Sequence, residues 1–124
     1  MITETKIRKQ EPDITVVEIF GRLNLGNSLV SIEASLKRLI DQGATKLVVD
    51  LAAVNYIDSS GIGMLVSCFG QMEQAGGRIR IAGTQGSVAK AFELVHLDQI
   101  MPFDADAETA CRNIATDASS GAPE

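Results

Sequence analysis

The spacing of apolar residues changes several times along the chain, and each change marks an element. Thr3 to Lys9 alternates weakly between apolar and polar positions, as a half-exposed strand does. Glu11-Pro12-Asp13 carries turn chemistry. Ile14 to Phe20 is rich in β-branched residues and reads as the hairpin partner, with Gly21 expected to break it. Leu29, Ile32, Leu36, Leu39 and Ile40 recur at helical spacing, which predicts an amphipathic helix of roughly four turns. Gly43 then stands where a helix C-terminal glycine belongs. Lys46 to Leu51 holds the run Leu47-Val48-Val49 without alternation, the pattern of a strand buried on both faces of a parallel sheet.

A loop through Asn55-Tyr56-Ile57 is expected next, then Asp58-Ser59-Ser60-Gly61 and a second helix. Its apolar stripe is Ile62, Leu65, Val66, Phe69 and Met72, and Gly76-Gly77 ends it. Arg78 to Ala82 reads as a strand with Ile79 and Ile81 on one side. Val88, Ala91, Phe92 and Val95 mark a third helix, and Ile100 to Phe103 a short strand. Asp104 is the expected N-cap of a last helix carrying Ala107, Ala110, Cys111 and Ile114. From Asp117 the chain is small and polar, so residues 1–116 are expected to form the domain and 117–124 a flexible tail. Strands alternating with helices after the hairpin imply one α/β domain, with a mixed, mostly parallel sheet of about five strands and about four helices.

Composition narrows the function. The 124 residues suit one compact domain, and 45% of them are hydrophobic, enough for a single core. With a formal net charge of -5, binding to nucleic acid is disfavoured, because that relies on clustered Lys and Arg. No stretch of about 20 apolar residues suggests membrane insertion. The start lacks the basic segment and apolar run of a secretory signal, so the cytoplasm is expected. Cys68 and Cys111 have no metal-ligand neighbours and read as buried free thiols. No metal or cofactor is expected.

The serine turn is the candidate site. Capping alone accounts for Asp58 or Ser59, whose side chains can accept hydrogen bonds from the free N–H groups of the first turn. The glycines ask for more. Gly61, Gly63 and Gly70 each cost roughly 1 kcal/mol against Ala inside a helix, and glycine lets another backbone or molecule come close. Opposite the apolar stripe lie Ser60, Gly63, Met64, Ser67, Gly70 and Gln71, nearly free of charge and mostly small. A solvated helix face normally carries Lys and Glu, so this one reads as a docking surface with Met64 as its adaptable apolar residue. The competing reading places Met64 under a neighbouring loop.

These residues resemble the STAS domain, and specifically the single-domain anti-sigma factor antagonists of bacteria. The matching pieces are Gly21-Arg22-Leu23-Asn24, the strand Leu47-Val48-Val49-Asp50-Leu51, Val54 through Gly63, and Gly76-Gly77-Arg78 to Ile81. The resemblance runs from about residue 4 to residue 114 and implies a single STAS-like domain. It implies that Ser60 is the phosphorylation site, with Ser59 second choice. Taken with the uncharged helix face, the expected partner surface is Asn24, Asp58, Ser59, Ser60, Gly61, Gly63, Met64, Ser67 and Gln71. The implied partners are an anti-sigma factor with serine kinase activity, which the unphosphorylated chain binds and thereby frees the sigma factor, and a phosphoserine phosphatase that resets the phosphorylated form. Two departures stand out. The family usually has Gly-Glu-Leu-Asp where this chain has Arg22 and Asn24, and a glycine often closes the third helix where His96 stands here.

Two rival readings compete. An enzyme using a nucleophilic serine needs a base; His96 is the only histidine, no Gly-x-Ser-x-Gly elbow is present, and no phosphate-binding loop with its lysine is found. No enzyme is expected. A STAS module can also serve as a subunit or scaffold of a lipid-transport or stress-signalling complex.

Overall fold

The computed structural model describes residues 4–116; the expected tail at 117–124 lies outside them. The strands are β1 (Glu4–Gln10), β2 (Ile14–Leu23), β3 (Lys46–Ile57), β4 (Arg78–Ala82) and β5 (Phe103–Asp104). The helices are α1 (Asn27–Asp41), α2 (Ser59–Gln74), α3 (Gly86–Leu94) and α4 (Ala107–Thr116). A short 3-10 turn, Leu97–Gln99, follows α3. The five strands form one sheet in sequence order, with β1 antiparallel to β2 and every other pair parallel. That is the mixed, mostly parallel sheet with an N-terminal hairpin expected from the pattern.

Alternation along the strands sorts the interior into two layers. Val17, Ile19 and Leu23 of β2 join Leu47, Val49 and Leu51 of β3 in one cluster with the buried faces of α1, α2 and α3. Ile14, Val16, Val48 and Ala82 point the other way and meet Ala110, Cys111 and Ile114 of α4. The five α1 residues singled out by spacing are the ones α1 buries. Gly43 takes φ 97, a left-handed value, and the Gly43 and Ala44 N–H groups close the helix on the Ile40 and Leu39 carbonyls, a Schellman ending. His96 plays the same part for α3 with φ 55, tolerable for His though easier for Gly.

Several boundaries differ from expectation, each for a tertiary reason. β2 does not stop at Gly21; register shifts flanking Phe20 and Gly21 carry it on to Leu23, as bulges do. β3 likewise continues through Asn55-Tyr56-Ile57, because Arg22 and Leu23 pair with Tyr56 and Ile57. Ile100 closes the 3-10 turn instead of starting a strand and is half exposed, so β5 begins only at Phe103. Val95 lies past the end of α3, exposed. Asp106, not Asp104, caps α4: its carboxylate accepts from the Thr109 N–H at 2.7 Å. Asp104 is nearly buried and is held by the Arg80 guanidinium and the Asn113 amide.

Candidate functional site

The carboxyl ends of β2 and β3 lie side by side, with Leu23 opposite Ile57. Asn24 and Leu25 leave one strand there, and Asp58 leaves the other to start α2. In open sheets with parallel strands this edge is where ligands and partners gather.

Asp58 organises the edge. Its Oδ1 accepts from the Gly61 N–H at 3.1 Å, which caps α2. Its Oδ2 accepts from the Leu25 N–H, also at 3.1 Å. Its own N–H donates to the Leu23 carbonyl at 3.1 Å. Partial burial works to raise the Asp58 pKa, but the N–H groups of Leu25, Gly61 and Ser60 outweigh it and hold the carboxyl below its ordinary value. The side chain is therefore an anion at neutral pH.

Gly61 is buried, and the reason is internal. A Cβ there would run into the Leu23 carbonyl oxygen and sit 2.8 Å from Ile57 Cγ1. The missing side chain lets the start of α2 lie directly on the end of β2. Gly61 therefore serves the fold, and its burial differs from the exposed contact position expected of it. Gly63 and Gly70 differ: a Cβ at either would meet nothing within 4 Å. Gly61→Ala is expected to cost about 2 kcal/mol through overpacking, lowering the melting temperature by about 8 °C. Gly63→Ala should leave it unchanged or raise it slightly, through better helix propensity; thermal unfolding of both variants checks the contrast.

The close approach at Gly61 also turns α2. Its buried residues are Gly61, Met64, Leu65, Cys68 and Met72, while Ile62, Val66 and Phe69 are only partly buried. Met64 is 5% exposed and lies 3.9 Å from Cys68, sulfur to sulfur. It is a core residue. The expectation that Met64 lines the docking face is corrected: reading 62, 65, 66, 69 and 72 as the centre of the stripe set the inward direction too far round the helix. Cys68 and Cys111 are both buried free thiols, and burial pushes the Cys68 pKa up to about 11.

Of the remaining expected contact residues, Ser59, Gly63 and Ser67 are exposed, while Asn24, Asp58, Ser60 and Gln71 are half-buried. Gln71 Nε2 donates to Ser67 Oγ at 3.1 Å. No buried side-chain oxygen or nitrogen among the described residues lacks a partner, and no hydrogen bond there engages the hydroxyl of the half-buried Ser60, so that hydroxyl is not sealed inside the fold. The outward strip of Ser59, Ser60, Gly63, Ser67, Gly70 and Gln71 carries no charge. Two further features flank it. Leu25, tied to Asp58, is 76% exposed; no periodicity marks it, because it sits in a turn. Arg22 lies over the Tyr56 ring, 4.2 Å from its centre, so the position where the resemblance leads one to expect Glu carries a cation on an aromatic face.

An α/β domain with a pair of serines at a capped helix N-terminus, beside a neutral helix face, has the make-up of a protein-binding module. Residues 5–110 match the STAS domain family, and the chain belongs to that family. It is 28% identical over 102 residues to the anti-sigma-B factor antagonist of Bacillus subtilis, covering 82% of this chain and 91% of that protein. An anti-sigma factor antagonist from Mycobacterium paratuberculosis has the same fold, with a TM-score of 0.81 at 17% identity over 92% of this chain and 95% of the other. The phosphorylated form of the Bacillus cell fate determinant SpoIIAA superimposes with a TM-score of 0.70 at 24% identity, over 90% of this chain and 99% of that one.

Proposed function

We propose that the chain is an anti-sigma factor antagonist whose partner-binding is controlled by phosphorylation of Ser60. The unphosphorylated form binds an anti-sigma factor with serine kinase activity and so releases the sigma factor. Phosphorylation at Ser60 dissolves the complex, and a phosphoserine phosphatase restores the binding form. The chain acts in the cytoplasm as a binding protein and not as an enzyme. The observation that carries this reading is the half-buried Ser60 at the head of an uncharged helix face, beside a fixed carboxylate. Ser59, Gly63, Ser67, Gln71 and Asn24 complete the surface. Membership of the family and the role of its relatives as antagonists support the same reading.

The physics of the switch is local. A phosphate adds about -1.5 to -2 charges at pH 7. The N–H groups and dipole of α2 tolerate an anion at that end, so the fold survives. The small side chains around Ser60 leave a partner close to it, and a dianion in such a contact both crowds and repels. No rearrangement of the domain is required. Incubation with the purified cognate kinase and ATP, followed by peptide mass spectrometry, is expected to place a single phosphate on Ser60 and none on Ser60→Ala. Phosphate on Ser59, or on a serine of α1, would reject this assignment.

A further inference from the structure

We propose that Leu25 is the apolar anchor of the partner-binding surface and that Asp58 is the residue that positions it; this rests on the reading of the chain as an antagonist. The occupant is an apolar pocket on the anti-sigma factor kinase. An exposed leucine is by itself ordinary. What sets Leu25 apart is how it is held. The Leu25 N–H donates to one oxygen of a carboxylate whose other oxygen caps α2, and the Asp58 N–H donates in turn to the Leu23 carbonyl. Two segments 33 residues apart in sequence are thereby joined at two points, one turn or less from Ser60. Capping α2 needs only one acceptor oxygen, and Asn or Ser would supply it as well. The second oxygen of Asp58 has a separate role, fixing the backbone from which a 76% exposed Leu projects.

The neutral strip of α2 offers little apolar area of its own, being Ser, Gly and Gln, with Met64 turned inward. An interface needs a desolvated apolar centre with polar groups around it. Leu25, whose N–H shares the Asp58 carboxylate with the first turn of α2, supplies that centre, and a pre-fixed loop saves the ordering entropy that a mobile one would lose on binding. Negative charge at Ser60 would then fall at the rim of the apolar contact, where partner groups are losing water.

The test uses the full chain and a purified serine kinase that phosphorylates Ser60, with affinity measured by calorimetry in the absence of ATP. Leu25→Ala should weaken binding about tenfold or more, with a melting temperature within about 2 °C of wild type, since an exposed side chain is removed. Asp58→Asn keeps one acceptor oxygen and a good cap but cannot accept at both sites. It should speed hydrogen exchange at the Leu25 amide, weaken binding about as much as Leu25→Ala does, and make the added Leu25→Ala change nearly silent. That coupling is the decisive readout, because a purely electrostatic or capping role for Asp58 would leave the two changes additive. Wild-type affinity for Leu25→Ala, or additivity in the double variant, overturns the proposal. Ser60→Asp is measured alongside: if it is weakened while Leu25→Ala is not, only the anchor fails; if it binds like wild type, the phosphorylation reading fails first.

Discussion

Ser60→Asp is expected to bind the anti-sigma factor kinase on the order of a hundredfold more weakly than wild type, while Ser60→Ala binds at least as well. One acidic partner residue about 5 Å from the new carboxylate costs roughly 3 kcal/mol at an effective dielectric of ~20, and every 1.4 kcal/mol is about tenfold in affinity. The phosphate, with nearly twice the charge and more bulk, should exceed a thousandfold. Both variants should unfold near the wild-type temperature, because an anion at the start of α2 meets N–H groups and the positive end of the helix dipole. Calorimetry with the partner and thermal unfolding separate the two effects. Equal affinities for Ala and Asp at position 60 would move the switch to another residue.

Met64→Lys is expected to act on the fold and not on the surface. Met64 is packed in the main cluster between α2, α1 and the sheet, and an ammonium placed there has no partner. Leaving an uncompensated charge in an interior costs about 3–5 kcal/mol, against a typical domain stability of about 5–15 kcal/mol. The melting temperature should fall by roughly 12–20 °C for a domain of this size. Circular dichroism on heating decides it. An unchanged transition would mean that α2 buries Ile62, Val66 and Phe69 instead and shows Met64 to its partner.

That pair of outcomes isolates what the helix pattern could and could not tell. Seven of the residues from Ile62 to Met72 are apolar enough to be buried, so α2 offers inward directions that differ by about a quarter turn of the wheel, and periodicity cannot choose between them. The choice falls to Gly61. Its absent side chain draws the first turn of α2 against Leu23, and that contact sets which residues follow it inward. In the sequence Gly61 looked like an opening for another molecule. It is an opening for the chain's own backbone, whereas Gly63 and Gly70 do face outward.

Local pattern was enough for whatever depends on near neighbours: the α1 face, the helix ends at Gly43 and Gly76, the buried run Leu47-Val48-Val49, and the serine turn behind Asp58. Caps, turns and periodic stripes are written within a few residues of where they act. Long-range packing had to supply the continuation of β3 to Ile57, which requires β2 beside it. The same holds for the ion pair that takes Asp104 away from α4, the rotation of α2, and the bridge from Asp58 to Leu25. Each of these depends on partners a score or more residues away, brought together by sheet pairing, and no local spacing encodes that.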